Sequence, residues 1–114
     1  MPYQVLHHTQ YLEVRFDGVI EAPLDLSQPP FSEAPGRRLL VDYGGVTEVL
    51  ADAYAFAEQA RQAESTGLKV AIYAPRPLLF GLSRQALQLG GVREGVSAGV
   101  FTSRDEATAW LEAG

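Results

Sequence analysis

Leu39-Leu40-Val41-Asp42-Tyr43-Gly44-Gly45-Val46-Thr47-Glu48-Val49-Leu50-Ala51-Asp52-Ala53 reads as a buried strand, a tight turn, a short extended piece and the start of a helix at Asp52. The apolar residues from Arg38 to Tyr43 run together, as expected of a strand covered on both faces, and Gly44-Gly45 is expected to end it. Asp52 is placed to accept hydrogen bonds from the first free N–H groups of the helix and to interact favourably with its dipole. A strand-turn-helix unit of this kind brings backbone N–H groups and a carboxylate to one edge of a sheet, and that edge is the candidate site.

Downstream, Ala53, Phe56, Ala57, Ala60 and Ala63 recur at helical spacing, and their small side chains allow the helix to lie close to a sheet. Glu58, Arg61 and Gln62 fall on the other side, with Glu58 and Arg61 spaced as an i, i+3 ion pair. Gly67 stops the helix. Leu68 to Ala74 is a second buried strand, and Pro75-Arg76-Pro77 turns the chain into a helix whose first position suits Pro77. Leu79, Leu82, Ala86 and Leu89 are its expected buried stripe, and Gly90-Gly91 ends it. After a short strand from Val96 to Phe101, Ser103-Arg104-Asp105-Glu106 forms a capping box. Ala107, Trp110 and Leu111 are expected to bury the last helix, with Trp110 as a core anchor.

Upstream, Glu21 to Gly36 holds four of the seven prolines, which leaves room only for a turn of helix around Leu24 to Ser27. Phe31 must fold back as an anchor or stay exposed, and the anchor is expected. Before that segment, Tyr3 to Thr9 and Tyr11 to Phe16 alternate with a period of two and read as two strands of an antiparallel hairpin, with Asp17-Gly18 closing the second strand. His7 and His8 are strand neighbours that point to opposite faces, so the pair cannot chelate one metal; one half-buried and one exposed residue are expected. The order is strand, strand, loop, strand, helix, strand, helix, strand, helix. It implies an α/β domain with a mixed, mostly parallel sheet of about five strands covered by helices, the first helix reduced to a proline-rich loop. Ligands of such sheets sit beyond the carboxyl ends of the strands, here Tyr43 to Asp52, Ala74 to Leu78 and Thr102 to Ser103.

The 114 residues suit one domain, 1–114. With 46% apolar and 20% charged residues the composition is that of an ordinary globular chain. The net charge of −5, without a block of Lys or Arg, argues against nucleic acid or an anionic membrane as partner. The absence of cysteine excludes disulfides, thiolate metal sites and cysteine nucleophiles. No signal peptide pattern or long apolar run occurs, so a cytoplasmic location is expected.

The order of elements and three of its segments resemble the STAS domain, the module of anti-sigma factor antagonists and of sulphate transporter tails. Val41 to Ala53 is similar to the family's strand-loop-helix segment. Val70-Ala71-Ile72-Tyr73-Ala74-Pro75 with Phe80-Gly81-Leu82-Ser83-Arg84, and Val100 to Leu111, resemble an uncharacterised STAS-like branch. The resemblance implies a STAS-like sandwich and a regulatory, protein-binding role, through a homodimer or a protein partner. Two departures stand out. Asp52 takes the place of the phosphorylatable serine; its carboxylate carries about one charge where phosphoserine carries nearly two, and a helix cap needs no regulation. The proline-rich loop takes the place of the first helix, which leaves part of a sheet face open to a partner, a second copy or a ligand.

No catalytic set is legible. Ser83 and Ser103 lack a base nearby in sequence, and Asp42 and Asp52 converging at the strand edge would identify no substrate. Neither a metal site nor a nucleotide-binding Gly motif occurs, and no cofactor is implied. Arg84, one turn after Phe80, either presents a cation beside the ring or packs its stem over it. The expected partner surface comprises Thr47, Glu48, Asp52, Tyr54, Phe80 and Arg84, on a non-catalytic interaction domain. The alternative is a carrier of a small apolar ligand or lipid, because the STAS fold is similar in shape to the CRAL-TRIO fold.

Overall fold

The computed structural model describes residues 3–113. Five strands, β1 (Tyr3–His7), β2 (Leu12–Ile20), β3 (Arg38–Val49), β4 (Lys69–Tyr73) and β5 (Ala98–Phe101), form one sheet in the order of the chain. β1 and β2 are antiparallel, and every later neighbour pair is parallel. The helices are α1 (Ala53–Ser65), α2 (Pro77–Gly90) and α3 (Arg104–Glu112). This is the α/β domain with a mixed, mostly parallel sheet that the element order implies.

Alternation along the strands sorts side chains onto two faces. Leu12, Val14 and Phe16 of β2, Leu39, Val41 and Tyr43 of β3, and Val70 and Ile72 of β4 bury against Phe56, Ala63, Leu79, Ala86 and Leu87 of α1 and α2. The opposite face holds a smaller cluster of Tyr11, Leu40, Ala71, Ala107 and Leu111 under α3. Both α1 and α2 end in Schellman geometry. Leu68 N–H donates to Ala63 and Gly67 N–H to Glu64, and Val92 and Gly91 repeat the pattern with Leu87 and Gln88. α1 and α2 approach closely at Gly90, where a Cβ would lie 2.9 Å from the Ala57 carbonyl oxygen.

Several boundaries differ from the sequence reading. Gly44-Gly45 does not end β3, and Asp17-Gly18 does not close β2; the two run on as a parallel pair to Val49 and Ile20. The reason is a pair of register shifts, Arg15 to Asp17 against Asp42 to Gly45 and Gly18 to Val19 against Val46 to Glu48. Each adds a residue on β3, and glycine allows the local bend. In the proline-rich segment the helical turns lie at Phe31–Glu33 and Pro35–Arg37, later than Leu24 to Ser27. Phe31 is buried as an anchor, with Leu26 and Ala34 beside it in the core.

The buried stripe of α2 also differs. Leu79 and Ala86 face the core as expected, but Ser83 and Leu87 complete the stripe, Leu82 is half-buried and Leu89 is exposed. Gln59 is buried within α1 because its Oε1 accepts the Leu24 N–H at 3.1 Å, which ties the proline-rich loop to the helix. Trp110 is half-buried: its ring lies against Phe101 at 5.6 Å between centroids, with Lys69 Nζ 4.5 Å from the ring centre.

Candidate functional site

At the carboxyl ends of the strands, the β3 extension carries Val46 inward and leaves Thr47 and Glu48 exposed. Leu50 N–H donates to the Ile20 carbonyl at 2.8 Å, holding the end of β3 against β2. Arg76 Nη1 donates to the Val46 carbonyl at 2.7 Å and fixes the turn before α2 to the same segment. Thr47, Glu48 and Val49 thereby share a shallow depression with Arg76, Leu78 and Leu79. The next residues begin α1. Asp52 Oδ1 accepts the Ala55 N–H at 3.0 Å, so the expected helix cap is formed.

This edge is unusual in what it exposes. Leu50 is 63% exposed, Tyr54 72% and Leu78 76%, the three most exposed large apolar side chains among the described residues. Leu50 and Leu78 lie within the stretches expected at this edge but are not among the expected partner residues, because exposure of an apolar residue beside a helix start is not set by sequence alone.

The six expected partner residues do not form one surface. Thr47 and Glu48 line the depression, and Asp52 and Tyr54 open α1 at the same end. Arg84 lies instead over a separate hollow on the β5 side, lined by Glu94, Gly95, Gly99, Phe101 and Trp110. Its Nε donates to Glu94 Oε1 at 3.1 Å, and its guanidinium carbon stands 5.8 Å from the centre of the Phe80 ring. Arg84 is thus both beside Phe80 and paired with an acid.

The opposite face holds a cluster that the sequence reading missed. Glu13, on β2 and fully buried, accepts from Arg104 Nη2 at 2.7 Å and Nη1 at 3.1 Å, from Arg15 Nη2 at 3.0 Å and Nε at 3.2 Å, and pairs with His8 Nε2 at 2.8 Å. Arg104 Nη1 also donates to Asp42 Oδ2 at 2.5 Å, while Asp42 Oδ1 accepts the Gly44 N–H at 2.7 Å. Burial pushes the Glu13 carboxyl upward, but the hydrogen bonds from Arg104, His8 and Arg15 outweigh it and hold its pKa below the ordinary value. The bond to Glu13 raises that of Arg104 against the effect of burial. Arg104 opens α3, where a cation opposes the helix dipole, so these carboxylates also compensate for its position.

Two carboxylates facing two guanidiniums leave a self-satisfied cluster, and no side-chain polar atom is buried without a partner among the described residues. The arrangement fixes α3 to β2 and β3. Lys69 does the same at the other end of α3, with Nζ donating to the carbonyls of Trp110 and Ala113 at 2.7 and 2.9 Å. Ser103 Oγ accepts the Glu106 N–H at 3.3 Å, the forward half of the capping box. Asp42 and Asp52 do not converge, since Asp42 faces α3 and Asp52 caps a helix on the other side of the sheet.

Elsewhere the interior is packed. The void between α1, α2 and the sheet, beside Tyr43, Gln59 and Ser83, measures about 20 Å³, room for one water. Burial pushes the Tyr43 hydroxyl up to about 12, with Gln59 partly offsetting it. An open groove of about 380 Å³ runs along β1 and β2 where the sheet lacks a helical cover, lined by Tyr3, Phe16, Val19, Ile20 and Leu24. Among the described residues no helix is long and apolar enough to cross a membrane, and no group of His, Asp and Glu could hold a metal ion. The chain matches no protein-family model and no curated protein sequence.

Proposed function

We propose that this chain is a non-catalytic interaction domain of STAS-like type, binding a protein partner at the carboxyl edge of its sheet, with Asp52 acting as a helix cap where antagonists carry a phosphorylatable serine. The observation that carries this reading is the exposure of Leu50, Tyr54 and Leu78 at one end of the molecule. Large apolar side chains gathered on a surface mark interaction sites more often than single ones do. The cation network of Arg15 and Arg104 is already neutralised by Glu13 and Asp42, which favours a structural role for it over substrate binding. The test is affinity capture with the wild-type chain and with the double variant Leu50→Ala, Leu78→Ala. A partner retained by the first and lost by the second, at equal unfolding temperature, is expected. Equal recovery by both, or none by either, refutes the reading.

A second reading, a carrier of a small apolar ligand, draws on the open groove along β1 and β2. Its volume lies at the low end for ligand sites, and the void between α1, α2 and the sheet measures only about 20 Å³. An apolar fluorescent probe displaced on replacing Phe16 or Ile20 by a smaller residue would favour the carrier.

A further inference from the structure

The edge that exposes Leu50, Tyr54 and Leu78 also carries carboxylates. Glu21 follows Ile20, whose carbonyl binds the Leu50 amide; Glu48 lines the depression with Leu78; Asp52 stands two residues from Tyr54. All three acids are exposed, and none is paired with a cation among the described residues. Arg76 lines the same depression and keeps its charge while donating to the Val46 carbonyl, so among the described residues named at this edge three acids stand against one cation. An apolar centre whose rim carries an excess of negative charge selects its occupant by sign. A second copy of this chain would bring the same acids and another net charge of −5 to the contact. An anionic membrane surface would meet the same repulsion.

Resting on the interaction-domain reading above, we propose that the occupant is a cationic amphipathic segment of a different protein: a helix whose apolar side chains at i, i+3, i+4 and i+7 cover Leu50, Tyr54 and Leu78 while flanking Lys or Arg residues face Glu21, Glu48 and Asp52. Partner choice then follows from charge at the rim, and affinity from the apolar centre.

The test uses the full chain and three labelled peptides of about 18 residues, five helical turns, with one leucine stripe and flanks of Lys, Gln or Glu. Binding is read by fluorescence anisotropy. The Lys peptide is expected to bind about tenfold more tightly than the Gln peptide and the Glu peptide least, with the preference shrinking as salt rises. Glu21→Gln with Glu48→Gln should remove most of that preference, and Leu78→Ala should weaken the Lys and Gln peptides alike, all at unchanged unfolding temperature. Equal binding of Lys and Gln peptides that still depends on Leu78 overturns the charge selection and leaves the interaction surface standing. Lys-peptide binding insensitive to Leu78, or tighter binding to phosphatidylserine vesicles than to any peptide, overturns the proposal. No binding by any peptide up to about 1 mM overturns the proposal and leaves the interaction-domain reading to the capture experiment above.

Discussion

Replacing Arg104 by Met removes three hydrogen bonds at once, two to Glu13 and one to Asp42, while keeping a flexible side chain of similar length at the start of α3. Breaking a buried ion pair from one side costs about 3–5 kcal/mol, because the remaining charge stays buried. Arg15 and His8 still reach Glu13, and the Arg104 side chain is 33% exposed, so the lower end applies, about 3 kcal/mol. For a chain of this length that is a fall of about 12 °C in unfolding temperature. Urea unfolding at pH 7, followed by Trp110 fluorescence on α3 itself, measures it.

Two further readouts separate an ion pair from general damage. Adding Glu13→Gln to Arg104→Met should recover about 1.5 kcal/mol relative to additivity, since the orphaned charge is gone. The cost should also shrink in acid. The folded pKa of Glu13 lies below its ordinary value of 4.5, so its stabilisation is fully present above that pH and is lost as pH falls through the folded pKa. A coupling under about 0.5 kcal/mol, with a cost constant between about pH 7 and pH 3, would refute the reasoning.

Asp52→Ala should cost about 1 kcal/mol in urea unfolding and Asp52→Asn only a few tenths, because both Asp and Asn cap the Ala55 amide; equal losses would mean that the charge itself matters. Gly90→Ala should destabilise by about 1–3 kcal/mol despite its better helix propensity, since the new Cβ meets the Ala57 carbonyl; a gain in unfolding temperature would show that the helices separate freely. The Tyr43 hydroxyl, raised to about 12, favours the folded state while neutral, so stability should decline as pH climbs from about 10 towards 12, and Tyr43→Phe should flatten that decline.

The main elements were legible because their signals are local. Pro77 at the start of α2, Gly67 and Gly91 after helices, and Asp52 and Ser103 as caps act within a turn of their own position. The extension of β2 and β3 past their glycines was not legible, because its pairing joins residues some 28 positions apart and depends on register. The charge cluster was equally hidden, with Glu13 and Arg104 separated by 91 positions. One sign of it was present: Asp42 interrupts a run read as covered on both faces, and a carboxylate there requires a cationic partner. The exposed edge was half legible. Thr47, Glu48, Asp52 and Tyr54 belong to it, and Leu78 lies in the stretch expected at that edge, but Arg84 lies over the separate hollow on the β5 side.

Asp42 divides its two oxygens between opposite tasks, one holding Arg104 at the head of α3 and the other holding the Gly44 amide where β3 begins its bent extension. A single proton on that amide therefore serves as a gauge of both. Its exchange with solvent should quicken whenever α3 lifts from the sheet and slow whenever a bound partner stiffens the strand ends. The head of α3 and the bent end of β3 are linked through one residue, and the Gly44 signal makes that link measurable without altering either.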